Sequence, residues 1–358
     1  MAQSSDTLGM LDLMIRPGFC VKDNLIVKVN PAAESRQIKP GTSIGKLLAT
    51  GKKEYGTFAG GCLYLTLDLY GQLCGASVTR IEDFDVFLLD EDTEQEELQT
   101  LALAARELRD PLTSIMATTD VMFPSEALQS DPLLREHLAR LNRGLYQMLR
   151  VIGNMSDAGR FSSGSAVCME TVDITALMAE LFQKVTSLAM QAGITVEFTN
   201  LKRPLCMLAD RDMLERAVLN ILSNSLKFTP KGGTVSVALS RKAGMLILTV
   251  QDNGEGIADN IMGSVFSRFL RKPAVEDSRY GLGLGLLLVR STAAQHGGTV
   301  LLDQPQENGV RITMTLAIHQ NPDSTVRSPR LRIDYAGEWD HGLVELAEIL
   351  PPELYEIK

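Results

Sequence analysis

The sequence predicts a multidomain α+β protein with three successive parts: a small α+β unit, a helical hairpin and an α/β sandwich. Three observations lead to this prediction. At 358 residues the chain is long enough for two or three domains. Leucine-rich steps of three and four residues dominate residues 87–160, whereas short β-branched runs separated by glycine and asparagine turns lie on either side of them. The hydrophobic content of 45% and the charged content of 22% are ordinary for a globular protein.

Composition argues against several classes of protein. The net charge of -9 argues against nucleic-acid binding, because phosphate contacts need a basic face. No run approaches the roughly 18 consecutive apolar residues of a membrane span, and residues 1–14 lack the basic segment and apolar run of a signal peptide. We therefore expect a cytoplasmic protein with no membrane span. The scattered cysteines form no C-x-x-C pair and are expected to be reduced packing residues.

Residues 1–86 are predicted to form the small α+β unit. The β-rich runs 19–22 and 25–29 are separated by Asp23 and Asn24, which favour a tight hairpin. Residues 62–69 and 76–81 alternate in polarity around a turn at 70–72, as strands do.

Residues 87–160 are predicted to form the helical hairpin. Apolar steps alternating between three and four residues give each helix a narrow seam, the geometry of a coiled-coil-like bundle. Two helices alone bury such a seam poorly, so a homodimer that completes a four-helix bundle is expected. The predicted seam residues are Leu98, Leu101, Ala105, Leu108, Leu112, Ile115 and Thr119 on the first helix, and Leu134, Leu138, Leu141, Leu145, Met148, Ile152 and Met155 on the second.

Residues 161–320 are predicted to form the α/β sandwich, with helices on one face of a mixed sheet. Asp173 and Asp210 are predicted to cap two helices, the first of which ends at Gly193. Strands are predicted at 194–198, 205–208, 235–239, 246–250, 300–302 and 312–316. Residues 321–358 form a tail whose role the sequence does not reveal. Its amphipathic run 343–350 could dock on the core or bind a partner, and docking is favoured.

Four polar or glycine-rich motifs follow one another at residues 220–229, 252–257, 265–271 and 281–286. In the first, Asn220 and Asn224 are one helical turn apart, so their amides share a face. An amide oxygen can ligate Mg²⁺ without adding charge that competes with phosphate. Lys227 falls near the same face and would meet phosphate oxygens. The alternative is two capping or surface asparagines.

In the second motif, Asp252 directly follows a predicted strand, where its carboxylate can accept from the exocyclic amine of adenine. Gly254 and Gly256 would let the backbone approach the ring without a Cβ clash. The same pattern also occurs in ordinary turns.

The glycines of the last motif, Gly281, Gly283 and Gly285, lack the G-x-G-x-x-G spacing of a dinucleotide site. They open a helix predicted at 286–296, so backbone N–H groups at the positive helix end could cradle phosphates.

These motifs in this order resemble the ATP-binding domain of sensor histidine kinases. The resemblance implies that ATP and Mg²⁺ are the cofactors, that Asn224 is the magnesium ligand assisted by Asn220, and that residues 268–280 are a lid closing over ATP. It implies further cofactor-binding residues, which are Lys227, Asp252, Gly254, Gly256, Phe269, Arg271, Gly281, Gly283 and Gly285. Residues 19–33 resemble the start of a PAS sensor domain; the alternative is a structural module without a ligand.

Residues 105–113 resemble the phospho-acceptor motif of the same family, with Arg106 in place of the acceptor histidine. A guanidinium stays protonated and has no lone pair with which to attack the γ-phosphate of ATP. The resemblance implies that the retained Glu107 is a general base. Because Arg106 directly follows the seam residue Ala105, it should point out of the bundle towards the nucleotide domain. Asp110 stands where the family's phosphatase function needs Thr or Asn, so that function is also in doubt. The four histidines of the chain (His137, His296, His319 and His341) are poor replacement acceptors.

The resemblance implies a PAS-like N-terminal domain, a hairpin forming a dimeric four-helix bundle and an α/β sandwich ATP-binding domain. The resemblance further implies an ATP-dependent protein-histidine phosphotransferase of a two-component system, partnered by a response regulator or a partner kinase. Arg106 leaves two alternatives open: a non-catalytic ATP-binding pseudokinase that regulates a partner, or a kinase acting in trans. A serine kinase is less favoured because the acceptor-type hairpin is present, and a clamp ATPase because further domains are lacking.

Overall fold

The computed structural model describes residues 9, 11–12, 14–91, 93–122, 131–162, 167–263, 265–266, 283–305, 309–320 and 339–356, without the side chains of 93–95, 161–162 and 259–260. No helix within these ranges has the length and apolar content that a membrane crossing requires. The chain forms two compact units. The first comprises Met1–Glu94, Leu239–Gln251 and Glu255–Ile318, and the second comprises Gln95–Ala238, Asp252–Gly254 and His319–Lys358.

The strands of the described residues, in chain order, are β1 (Gly18–Lys22), β2 (Leu25–Val29), β3 (Cys62–Leu69), β4 (Gln72–Ile81), β5 (Phe84–Leu89), β6 (Glu170–Asp173), β7 (Thr195–Thr199), β8 (Cys206–Ala209), β9 (Thr234–Lys242), β10 (Met245–Asp252), β11 (Val300–Asp303) and β12 (Arg311–Ala317). The α-helices are α1 (Pro31–Ser35), α2 (Ile44–Leu47), α3 (Lys52–Gly56), α4 (Thr93–Met122), α5 (Pro132–Ser162), α6 (Ile174–Gln191), α7 (Arg211–Phe228), α8 (Asp259–Met262), α9 (Leu284–Gln295) and α10 (His341–Glu345). A 3₁₀ turn spans Pro352–Tyr355.

The first unit contains an antiparallel sheet in the order β2-β1-β5-β4-β3-β11-β12-β10. The predicted hairpin between β1 and β2 is confirmed, with Asp23 and Asn24 at φ 50° and 63°. Such left-handed angles match the twist of a two-residue hairpin. The buried core beneath these strands includes a stacked pair, Phe19 and Phe87, whose ring centroids lie 4.8 Å apart.

Within this unit, β3 pairs with β11, so the N-terminal strands share a sheet with strands from residues 239–318. Arg290 of α9 reinforces the junction. Its side chain is 3% exposed, lies 2.5 Å from an Asp90 carboxylate oxygen and stacks over the ring of Tyr64. The predicted domain boundaries after residues 86, 160 and 320 stay predictions, as does the PAS-like identity of the N-terminal part.

In the second unit, α4 and α5 confirm the predicted helical hairpin. Some members of each predicted seam are buried and others are about half exposed, whereas Leu101 and Leu134 are intermediate. The buried ones are Leu98, Ala105, Leu112 and Thr119 on α4 and Leu138, Leu145, Ile152 and Met155 on α5. The exposed ones are Leu108 and Ile115 on α4 and Leu141 and Met148 on α5. Each helix therefore has one apolar row inside the hairpin and a second row without cover from the described residues of this chain.

The α/β elements of the second unit follow their local signals. Asp173 caps α6 through a bond from the Ala176 N–H at 3.0 Å, and Asp210 caps α7 through the Met213 N–H at 3.1 Å. Both predicted caps are confirmed. β7 pairs in parallel with the first part of β9, and β6 pairs with β8 in a separate two-stranded sheet.

The tail packs against the hairpin, as the amphipathic run predicts. Val344, Leu346, Ala347, Leu350 and Tyr355 are buried. The Tyr355 ring meets the Tyr146 ring of α5 edge-on at 4.9 Å. Burial raises the pKa of Tyr355, so its hydroxyl stays protonated and donates to the Leu343 carbonyl oxygen at 2.8 Å. Docking on the core, favoured over partner binding from sequence, is confirmed for the described part of the tail.

Candidate functional site

The polar face of α7 contains a buried acceptor atom that receives no hydrogen bond from the part of the chain that the structure describes. Asn220 is 0% exposed, and its Nδ2 donates to the Arg216 carbonyl oxygen at 2.9 Å. Its Oδ1 is buried and has no hydrogen bond within the described residues. Leaving a buried acceptor unsatisfied costs about 1–3 kcal/mol. The Oδ1 atom of Asn220 is therefore suited to bind a cation or to accept a hydrogen bond from a ligand.

Asn224 and Lys227 continue this face of α7. Asn224 is partly exposed one turn after Asn220, which leaves its side chain accessible. The Lys227 side chain is 14% exposed, and its Nζ forms an ion pair with the Glu348 carboxylate. The side chains on this face are two neutral oxygen donors and one ammonium, a set compatible with a metal-bound phosphate.

Asp252 and Gly254 form a tight turn beside the C-terminal end of α7. Asp252 is 4% exposed, and its Oδ1 accepts from the Gly254 N–H at 3.0 Å. A Cβ on Gly254 would lie 2.5 Å from the Phe228 carbonyl oxygen. The absence of a side chain at this position therefore permits the close packing of the turn on α7.

We expect Gly254→Ala to destabilise the protein by about 1–3 kcal/mol, because the new methyl group overlaps a backbone oxygen that cannot move aside. Gly144→Ala on α5 is the control, since a Cβ there meets nothing within 4 Å. Alanine should be neutral or stabilising at that helical site by up to about 1 kcal/mol. Urea denaturation of both variants measures the difference; equal stabilities would contradict the packing described for Gly254.

The other predicted glycines lie in the first unit. Gly256 has φ +78°, a conformation that favours glycine, and the side chain of Gln304 bridges the neighbouring Ile257 backbone. Gly283, at φ +72°, is the N-cap of α9 and provides no side-chain cap, and Gly285 lies in the first turn. The helix begins at Leu284, two residues before its predicted start. Phe269, Arg271 and Gly281 lie outside the described residues.

The acceptor-type position lies on the exposed side of α4. Arg106 and Glu107 are exposed next to the buried Ala105; that Arg106 faces the nucleotide domain stays a prediction. Asp110 is exposed on the following turn. Position 106 is therefore accessible to an incoming group, but the side chain there has no nucleophilic nitrogen.

The four histidines occupy other surroundings. His137 is exposed on α5. His296 is buried at the end of α9, with Nδ1 2.7 Å from the Thr292 carbonyl oxygen. His319 accepts a backbone bond from Leu208, and His341 contacts Glu215 at 2.9 Å.

Sequence reasoning missed two carboxylates beside the α7 face, Glu345 and Glu348. Glu345 is 0% exposed and contacts Arg150 and Arg216, and Glu348 contacts Arg150 and Lys227. The signal available in the sequence was their position within the amphipathic run 343–350. A pattern of polarity identifies such a run but does not identify its ionic partners.

Two protein-family models match parts of the chain. Residues 96–164 match the His Kinase A (phospho-acceptor) domain. Residues 209–320 match the histidine kinase-, DNA gyrase B-, and HSP90-like ATPase. The first match covers α4 and α5, and the second begins at the last residue of β8.

Similar proteins include the hybrid signal transduction histidine kinase D of Dictyostelium discoideum, 30% identical over 66% of this chain and 16% of that protein. The signal transduction histidine-protein kinase/phosphatase MprB of Mycolicibacterium vanbaalenii is 32% identical over 58% of this chain and 42% of that protein. A crystal structure of full-length ShkA in complex with AMPPNP has 24% identity and a TM-score of 0.47, covering 62% of this chain and 47% of that chain. The chain spans less than half the length of each of these three proteins.

Proposed function

The chain belongs to the sensor histidine kinase family, and we propose that it is a two-component signal-transduction protein that binds Mg–ATP but does not phosphorylate itself at the family's acceptor position. The observation that carries this proposal is the combination of a polar α7 face suited to a metal-bound phosphate with an exposed Arg106 at the acceptor position. The α7 face and the Asp252 turn support the binding of Mg–ATP. The chemistry of arginine supports the absence of self-phosphorylation.

The nucleotide would be held by the residues that the resemblance assigns to it. In this proposal Asn224 ligates Mg²⁺ and the orphaned Oδ1 of Asn220 supports the metal, directly or through a water. Lys227 meets phosphate oxygens, and the buried Asp252 carboxylate accepts from the adenine amine.

Arg106 also favours a second candidate function. An ATP domain without an acceptor in its own hairpin can phosphorylate the histidine of a partner kinase in trans, or can regulate that kinase or a response regulator without transferring phosphate. Glu107 would act as the general base only where a partner histidine is presented to it. The cytoplasmic location and the sensor role of the N-terminal part stay predictions.

We infer that the exposed apolar rows of α4 and α5 pair with a second copy of the chain. Ile115→Glu places a charge in the row, where Ile115 is 49% exposed, and should convert the dimer to a monomer because desolvating an unpaired carboxylate is costly. Ala117→Glu, at an exposed site on the opposite side of the same helix, is the matched control and should stay dimeric. Light scattering after size-exclusion chromatography gives the masses; a monomeric wild type would contradict the inference.

The base specificity of the site tests the nucleotide proposal. Mg–ATP should raise the melting temperature of the wild-type chain, whereas Mg–GTP should not. In Asp252→Asn the amide oxygen can keep the bond from Gly254, but the amide nitrogen then faces the adenine amine, donor against donor. The ATP affinity should fall by about tenfold or more, the loss expected for one buried charge-assisted bond. Glu255→Gln removes the same charge from an exposed position and should change little. Equal stabilisation of the wild type by GTP would contradict the role of Asp252.

A further inference from the structure

The tail is attached to α5 through its backbone. Arg143 donates from Nε to the Ala347 carbonyl oxygen at 2.9 Å and from Nη2 to the Glu348 carbonyl oxygen at 2.8 Å. Gln147 adds a bond to Ala347 at 3.1 Å, and Asn142 donates to the Tyr355 carbonyl oxygen at 3.0 Å. These bonds fix the course of residues 347–355 along the helix, so the side chains between them have defined positions.

Glu345 links α5 to α7. Its carboxylate is 0% exposed, with one oxygen 3.1 Å from Arg150 Nε on α5 and the other 3.6 Å from Arg216 Nη2 on α7. Arg216 also pairs with Asp157 of α5 and donates to the Asn154 side chain at 2.9 Å. The tail thus supplies a carboxylate to a buried ionic cluster that joins the acceptor-type hairpin to the helix bearing Asn220, Asn224 and Lys227.

Glu348 extends this cluster to Lys227. Its carboxylate pairs with Lys227 Nζ through one oxygen and lies 3.4 Å from Arg150 Nη1 through the other. Within the described residues, the buried part of this cluster contains the cations Arg150, Arg216 and Lys227 and the carboxylates Asp157, Glu345 and Glu348, and the exposed Arg160 lies 4.0 Å from Asp157. Glu345 and Glu348 come from the tail, so undocking the tail would remove the carboxylates that contact Arg150 and Lys227 and leave Arg216 paired with Asp157. The carboxylate of Glu348 takes the place at Lys227 that a phosphate oxygen would need.

We propose that residues 340–356 are an autoinhibitory strap whose docking competes with nucleotide: Glu348 occupies Lys227 as an internal substitute for phosphate, while Glu345 ties α7 to the hairpin. The proposal rests on the phosphate-binding role of Lys227 in the proposed function. Binding of a nucleotide triphosphate then requires Lys227 to exchange Glu348 for phosphate, and the apparent affinity is reduced by the fraction of molecules in which the strap is docked.

The test is calorimetric titration of Mg–AMPPNP into the full chain with wild-type sequence, Glu348→Gln and Glu353→Gln. Glu348→Gln removes the negative charge beside Lys227 while keeping the size of the side chain, and because the Glu348 side chain is 29% exposed we expect the variant to fold. Its dissociation constant should fall roughly five- to tenfold relative to wild type, the scale of one charge-assisted contact. Glu353→Gln removes an equal charge from an exposed tail position and should match wild type. Hydrogen exchange provides a second measurement, since the nucleotide should speed exchange of wild-type amides in 341–350.

The possible results test the autoinhibitory strap and the nucleotide site separately. Wild-type binding that Asn224→Ala abolishes, together with an unchanged or weaker affinity in Glu348→Gln, overturns the strap and leaves the nucleotide site standing. Slower or unchanged exchange in 341–350 on nucleotide addition also overturns the strap. Binding in neither wild type nor Glu348→Gln overturns the nucleotide site, and the strap with it.

Discussion

Replacing Arg106 with histidine should convert a chain that does not label itself into one that does. The position is exposed on α4 beside the retained Glu107, so an imidazole there would be accessible and have a carboxylate next to it. A neutral imidazole nitrogen can attack the γ-phosphate, whereas a guanidinium cannot. We expect label in Arg106→His at a rate at least about 10³-fold above wild type, well within the loss that follows removal of an attacking group.

The assay uses γ-labelled ATP and Mg²⁺ on the purified 358-residue chain, with the acid lability of phosphohistidine identifying the product. Arg106→Gln is the matched control because it removes the arginine charge without supplying a nucleophile. Asn224→Ala in the Arg106→His background should abolish the label if Asn224 holds the metal. Acid-labile label on the wild type would mean that another histidine is the acceptor, and the pseudokinase and trans alternatives would lose their basis.

Arg216→Met should destabilise the protein by about 3–5 kcal/mol, the cost of removing one partner from a buried ionic cluster. The Arg216 side chain is 5% exposed and pairs with the carboxylates of Asp157 and Glu345. Methionine fills much of the same volume but leaves both carboxylates short of a cation in a site with little access to water. We expect the free energy of unfolding to fall mainly because two buried carboxylates lose a cationic partner, and less because packing is lost.

Arg140→Met is the comparison for this effect. Arg140 forms an ion pair with Glu136 one turn away on α5, but its side chain is 64% exposed. Such a pair contributes less than about 1 kcal/mol because solvent screens it. Urea denaturation of the two variants beside wild type measures the difference. Similar losses in both would show that the cluster around Arg216 is not buried as described.

Local signals in the sequence were enough to predict much of the fold. Asp173 and Asp210 cap the helices that they were predicted to cap, because an N-cap bond is made within three residues. The Asp23–Asn24 hairpin likewise depends on two residues that tolerate left-handed angles. The heptad pattern of α4 and α5 predicted a helical hairpin with one apolar seam on each helix, since a helical period repeats over many residues.

Long-range partnerships could not be predicted in this way. Asp90 and Arg290 are 200 residues apart, and no local pattern links them. The pairing of β3 with β11 has the same character, because either strand could pair with many others of similar polarity. In the sequence, Glu348 is one charged residue of an amphipathic run. Its ion pair with Lys227 is seen only in the structure, where the tail is docked. The predicted site residues on α7 and in the Asp252 turn do lie in one compact unit, whereas their roles follow from resemblance and await measurement.

Calorimetric titration of ATP into the 358-residue chain, with Mg²⁺ and then with EDTA in its place, decides whether the protein binds Mg–ATP without phosphorylating itself. We expect one ATP site per chain that requires Mg²⁺ and is lost in Asn224→Ala, with no phosphohistidine formed on the wild type during the titration. Absence of binding in the wild type and in Glu348→Gln, or binding that is indifferent to both Mg²⁺ and Asn224, would contradict it.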